Sequence, residues 1–320
     1  MKLLYNLEKK STYIYTYVHQ VEEFDLCRME MRALFGFDTE LNYLWSDTDV
    51  NPDRSPFIQD RIEILFEGDT VADIKEAVKV LNLEQSTYKV ICLNKMDLGE
   101  TKKIPHPERR SIEREIGLCI EGEPELDHPD VVFGLISLEN RWYFGHYVRS
   151  ESIWRKHVHK PKSYSTALNT RLARAISNIA IPKIENVRAI DPCCGIGTVL
   201  IEALSMGINI VGRDISLFVC IGARENIAYF ELDGVVTKGP ISEVQEHYDV
   251  AIIDLPYNIY SHISKEQEYE IIYHARRIAE RVLFVTIDPI EHFLEKAGFT
   301  IIDRCEAKKQ QFVRHILLCE

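Results

Sequence analysis

From residue 187 onward the chain alternates short apolar runs with amphipathic segments, the pattern of parallel strands joined by crossover helices. Strands are predicted over 187–191, 208–213, 234–237, 249–254 and 281–287, with helices over 198–206, 217–230, 266–280 and 289–297. The last two apolar runs, 299–302 and 311–319, have no helix between them and so read as an antiparallel pair. A further helix over 166–179 leads into this half, with Arg171 and Arg174 on its polar side.

The first half has a different rhythm. Residues 11–19 alternate aromatic and polar positions, as in a half-buried strand, and 21–34 carry apolar residues at helical spacing with Arg28 and Arg32 exposed. Short strands follow at 41–45 and 57–66, a helix at 71–82, a strand at 88–95 and a helix at 108–119. Runs at 131–138 and 141–148 form a hairpin turning at Glu139-Asn140. Strands and helices mixed in this way predict an α+β region ahead of an α/β region.

With 320 residues the chain has room for two or three domains. Its net charge of −12, of which −10 falls in residues 1–150, excludes a chain-wide basic field for nucleic acid, so any RNA contact must be local. Positive charge does collect between 150 and 165, where Arg155, Lys156, Lys160 and Lys162 are interleaved with Trp154 and Tyr164. Basic residues with aromatic neighbours suit phosphates and an unstacked base, although a solvated linker has the same composition. The eight cysteines show no C-x-x-C pair, and His128, His146, His157 and His159 show no metal-ligand spacing, so no metal is expected and the imidazoles read as solvated or phosphate-facing. A reducing cytoplasm fits that cysteine usage, and no apolar run approaches a membrane span.

The candidate chemistry sits at strand ends. Asp191-Pro192-Cys193-Cys194-Gly195-Ile196-Gly197-Thr198 joins an apolar strand to a helix through two glycines, with Thr198 placed to cap the helix. Leu200 stands where the dinucleotide fingerprint needs a third glycine, so a diphosphate cradle is incomplete. An acidic strand end suits a cationic ligand better. Asp214, followed by Ile215, closes the next strand at the spacing of a ribose-hydroxyl acceptor. Asp254-Leu255-Pro256-Tyr257 ends a third, where the acid and the Leu255 carbonyl offer acceptors to an amine and Tyr257 offers a stacking face. Cys193 and Cys194 lack a basic partner in sequence and read as small loop residues rather than nucleophiles.

Asp191-Pro-x-Cys-Gly-x-Gly resembles motif I, and Asp-Leu-Pro-Tyr resembles motif IV, of S-adenosylmethionine-dependent amino-methyltransferases. His128-Pro129-Asp130 with Trp142-Tyr143-Phe144-Gly145 resembles the closing hairpin of a THUMP domain. Together these stretches are similar to the THUMP-containing tRNA guanosine-N2 methyltransferases. The resemblance implies a ferredoxin-like region over 1–58, a THUMP-like domain over 59–150, a basic linker over 151–165 and a class I methyltransferase domain over 166–320, in a cytoplasmic enzyme. It implies that Asp191, Pro192, Cys194, Gly195, Gly197, Thr198, Asp214 and Ile215 hold S-adenosylmethionine, that Asp254 to Tyr257 hold the target base, and that Arg155, Lys156, Lys160 and Lys162 meet tRNA. It leaves room for a small activating protein partner. Two departures stand out: Leu255 replaces the usual first proline of motif IV, and Lys238-Gly239-Pro240 replaces the acid that commonly meets the adenine. Methylation of another planar amine, such as adenine N6 or a glutamine side chain, and RNA binding by an inactive methyltransferase fold remain open on these residues.

Overall fold

The computed structural model describes residues 11–93, 104–164, 167–256, 264–309 and 312–320, without the side chains of 309 and 312. The chain divides into two compact units, one of residues 1–18, 39–53 and 58–151, the other of 19–38, 54–57 and 152–320.

The first unit is built on one seven-stranded sheet in the order β2-β1-β3-β7-β6-β4-β5. Its strands are β1 (Tyr13–Tyr17), β2 (Tyr43–Ser46), β3 (Ile58–Gly68), β4 (Asn82–Cys92), β5 (Glu121–Pro124), β6 (Val131–Leu138) and β7 (Arg141–Arg149), with helices α2 (Val71–Ala77) and α3 (His106–Gly117). The β6–β7 hairpin turns at Glu139 and Asn140, both at positive φ (51° and 63°), as a two-residue turn matched to strand twist requires. Gly145 of β7 lies so close to β3 that a Cβ there would meet the Glu63 carbonyl oxygen at 1.7 Å. Ile14 of β1 and Ile62 of β3 share one core cluster with Ile136 and Tyr143 of the hairpin. The boundary expected at 58/59 therefore falls inside a single sheet, because β1 pairs with both β2 and β3.

The second unit carries the sheet order β10-β9-β8-β11-β12-β14-β13. Its strands are β8 (Ala189–Asp191), β9 (Ile210–Asp214), β10 (Val236–Lys238), β11 (Tyr248–Asp254), β12 (Ala279–Thr286), β13 (Ile301–Lys309) and β14 (Phe312–Cys319). All neighbours pair in parallel except β14, which inserts antiparallel between β12 and β13. The helices are α1 (Phe24–Phe35), α4 (Thr170–Ala180), α5 (Thr198–Ser205), α6 (Leu217–Tyr229), α7 (Lys265–Ile278) and α8 (Glu291–Ala297). A mostly parallel sheet with a C-terminal antiparallel hairpin is the class I methyltransferase fold. Its core joins Ile190, Ile253 and Leu255 to Ile272, Phe284, Leu294 and Leu317.

The sequence pattern placed α1 with the N-terminal region, whereas the structure packs it against α4 and β13 in the second unit. Glu30 of α1 is fully buried, accepting hydrogen bonds from Ser55 Oγ (2.5 Å) and Asn178 Nδ2 (2.6 Å). Arg28 and Arg32, expected to be exposed, are engaged by Asp38, and Arg32 also by Asp303 (2.9 Å). Arg174, expected on a polar face of α4, is 1% exposed; its guanidinium bonds Glu202 Oε2 (2.7 Å), Ser205 Oγ and the Arg54 carbonyl. Amphipathic periodicity marks which face is polar, not whether that face is covered by another charged element.

Candidate active site

Three neighbouring parallel strands, β9, β8 and β11, end in Asp214, Asp191 and Asp254. In an open α/β sheet the carboxyl ends of the strands bound the ligand crevice. The loop after β8 is stitched to β9 by the Cys194 amide, which donates to the Arg213 carbonyl (3.0 Å), and by the Gly195 amide, which donates to Asp214 Oδ2 (3.0 Å). Gly195 (φ 53°) and Gly197 (φ 80°) take the left-handed conformations that this turn needs. A Cβ on Gly195 would stand 2.6 Å from the Tyr164 hydroxyl, so the bare glycine also makes room for that ring.

Thr198 is not the helix cap. Gly197 occupies the cap position of α5 and makes no side-chain bond, while Thr198 begins the helix. Its hydroxyl is buried without a hydrogen-bond partner among the described residues, and so is Asp254 Oδ1. Asp191, 2% exposed, accepts one backbone bond from Cys193 (3.1 Å). Asp214 also accepts the Ser216 amide through Oδ1 (2.9 Å), so it braces the loop while each oxygen keeps a second lone pair. Ile215, beyond it, is 71% exposed, and Pro192 is buried in the turn.

The electrostatics follow from this crowding. Burial, and then the charges of Asp254 and Asp214, hold the Asp191 carboxyl well above the usual range against its one backbone bond. Burial lifts Asp254 to about 7, opposed by Arg314 of β14. Burial and the three aspartates push the Tyr164 hydroxyl up to about 12. Burial, and then Asp191 and Asp214, raise the thiols of Cys193 and Cys194, which keeps both protonated and removes the setting of an activated thiolate. The site is thus an acidic crevice in which carboxylates are held together with little compensating charge.

Motif IV departs from its usual form with a physical consequence. Leu255 is buried in the core, and its amide donates to the Val285 carbonyl (2.9 Å), a bond that proline cannot make. Pro256 is exposed, and Tyr257 lies outside the described residues.

The basic residues of the junction differ in their surroundings. Arg155 and Lys156 face outward, with the Arg155 guanidinium 5.4 Å from the Trp154 ring centre, and Lys162 is paired with Glu225 (3.0 Å). Lys160 is half-buried, its pKa lowered by that burial. His157, expected to be solvated or facing phosphate, is 5% exposed, bonded to Glu202 (2.8 Å) and set edge-on against Phe230. It anchors the junction to α5.

Several residues at the site were not singled out by the sequence. Arg314 reaches it because the β12–β14 register sets His315 opposite Thr286, the last residue of β12, which puts Arg314 just beyond that strand end. Asn226 of α6 bonds both the Lys162 backbone (2.8 and 3.0 Å) and the Ile196 carbonyl (3.0 Å), clamping the junction to the glycine loop. Neither carries a local sequence signal, since each depends on long-range register. Among the described residues no group of His, Cys, Asp and Glu could hold a metal ion, and no helix is long and apolar enough to cross a membrane.

Residues 158–283 match the UPF0020 family, described as an RMKL-like methyltransferase domain. The chain is 28% identical over 173 residues to a tRNA (guanine(10)-N2)-dimethyltransferase of Methanothermobacter thermautotrophicus, covering 51% of each chain. It is also 28% identical over 193 residues to the enzyme of that name from Pyrococcus abyssi, covering 58% of this chain and 56% of that one. The chain thus matches about half the length of these curated relatives. A crystal structure of TrmN from Thermus thermophilus aligns over 97% of this chain and 99% of that one, at 16% identity and a TM-score of 0.49.

Proposed function

We propose that the protein transfers a methyl group from S-adenosylmethionine to the exocyclic N2 amine of a guanosine in tRNA. The observation that carries this reading is the set of three aspartates at adjacent strand ends, one of which, Asp254, has a buried oxygen with no partner among the described residues. A sulfonium with its ammonium group suits such a crevice, because positive charge offsets both the burial and the neighbouring acids that together raise the pKa of Asp191. Asp191 and the Gly195–Gly197 loop would hold the methionine end, and the remaining lone pairs of Asp214 the ribose. When bound, the cofactor supplies an electrophilic methyl group. The family match and the names of the curated relatives support the same class of reaction and substrate.

The residues of this chain then have definable tasks. A guanine amine is a weak nucleophile because its lone pair is conjugated with the ring. Asp254 Oδ1 and the Leu255 carbonyl accept its two hydrogens, which pulls the nitrogen toward a tetrahedral shape and aims the lone pair at the methyl carbon. Bound there, the cofactor would supply the methyl group and keep the electron pair of the broken carbon–sulfur bond on its sulfur, and Asp254 would accept the surplus N2 proton. A carboxyl with a pKa of about 7 is matched to that last task.

The test is incubation of the full chain with labelled cofactor and tRNA, followed by nucleoside mass spectrometry. N2-methylguanosine or its dimethyl form is expected. A methylated adenine amine would keep the role of Asp254 and replace the substrate, and no transfer despite cofactor binding would refute the activity.

A further inference from the structure

The second unit carries a cleft of about 480 Å³, open to solvent, beside Tyr164. Its walls carry Lys160 from the junction, Arg171 from the first turn of α4, and Lys308 and Arg314 from the β13–β14 hairpin. Among the residues that line it Glu23 is the one acid, and Arg171 already holds it at 2.9 Å. Lys308 is shared with Glu306 at 3.5 Å on the surface. Lys160 has no ion-pair partner within 4 Å among the described residues, and burial disfavours its charge, offset only in part by the more distant Glu202. Four cations converging from three elements run against the bias of a chain whose net charge is −12. A half-buried, unpaired ammonium is costly unless something anionic meets it.

Two features tie this cavity to the reaction centre. Tyr164 lines it and also covers Gly195 of the cofactor loop, and Arg314 lines it and also acts on the charge of Asp254. Its volume exceeds that of a lone phosphate and suits one sugar-phosphate unit. We propose that it receives a phosphodiester and ribose of the RNA strand beside the target nucleotide, with Lys160 as the principal phosphate contact. This assignment rests on the reading of the site as an RNA methyltransferase. It differs from a grip by the whole basic junction, because Arg155, Lys156 and Lys162 do not line the cavity. In it, hairpin and α4 residues of the catalytic unit fix the strand in register with Asp254.

The experiment uses the full chain and a tRNA transcript, with binding followed by fluorescence anisotropy over a range of KCl concentrations and without cofactor. K160Q is expected to bind about tenfold more weakly or worse at low salt, as for loss of a charge-assisted contact. Its plot of log affinity against log salt should be shallower by about 0.7 to 0.9, one phosphate's share of counterion release. K160R should restore most of both, and K308Q should shift the slope in the same direction. Calorimetric affinity for S-adenosylmethionine should be the same in K160Q as in wild type. An unchanged salt slope in K160Q overturns the proposal. So does a loss of cofactor affinity with RNA binding intact, which would assign the cavity to the cofactor's carboxylate. The slope is read without turnover, so a protein that bound RNA through Lys160 yet transferred no methyl group would refute the proposed function and uphold the cavity.

Discussion

Asp254 is where the site's physics is most exposed to test, because its acceptor oxygen is buried without a partner among the described residues and burial lifts its pKa to about 7. The carboxylate form, which accepts the amine and then its proton, is present above that value, so kcat/KM should rise with pH up to about 7 and then level. Asp254→Asn keeps an acceptor but cannot take a proton, and should abolish this limb in a pH profile. Asp254→Ala should lower the single-turnover rate by roughly 10²-fold or more while cofactor affinity holds, the scale of losing one preorganised polar contact. A rate within a few-fold of wild type would refute the assignment. Asp214→Ala has a second effect built in, since it removes the acceptor for the Gly195 and Ser216 amides as well as the proposed ribose contact. Calorimetry should show cofactor binding weaker by about 1 to 3 kcal/mol. Cys193→Ser and Cys194→Ser should keep turnover, because both thiols are held protonated by burial and neighbouring acids.

The elements of the second unit were legible from periodicity where each is locally complete. The expected strand over 249–254 and helix over 217–230 match β11 and α6 closely, because apolar runs and helical spacing are written within each segment. What the pattern could not carry is partnership between distant segments. Arg174 and His157 read as polar-face or solvated residues in sequence, and Glu30 is not singled out, yet each is buried against a partner far along the chain, at Glu202, Glu202 and Asn178 respectively. The site divides in the same way: Asp191, Asp214 and Asp254 are readable as strand ends, whereas Arg314 and Asn226 arrive through register. The α1–α4 contact has a measurable consequence. Burial raises Glu30 from 4.5 to about 7, so the folded chain binds that proton more tightly than the unfolded chain. The stabilisation is full below the unfolded value and is lost as pH rises through about 7, at most roughly 3 kcal/mol for this group. Thermal melts from pH 5 to 8 should show it, and Glu30→Gln should flatten the dependence. A slope unchanged by that substitution would mean Glu30 is ionised throughout.

At the scale of the molecule, the second unit, which holds the candidate active site, is assembled from three separated stretches of chain, 19–38, 54–57 and 152–320. A single cut near residue 150, which the sequence pattern invites, therefore removes α1, the buried partner of α4. A chain starting at Ser150 would leave Asn178 and the α4 face without Glu30, Ser55 and the Arg54 carbonyl, which accepts from Arg174 and Asn178. Buried polar groups stripped of their partners cost about 1 to 3 kcal/mol each, a large part of a domain's stability, and the apolar face covered by α1 would open to water as well. Such a fragment is expected to melt far below the full chain, or to lack a cooperative transition, in calorimetry and in circular dichroism. A fragment as stable as the full chain would show that α1 adds nothing to the catalytic unit. The consequence for function is that the contact with tRNA implied by the THUMP resemblance of the first unit is not a property that truncation isolates. It has to be tested by surface substitution within the intact chain, with cofactor affinity measured alongside to show that the three-stretch core is still assembled.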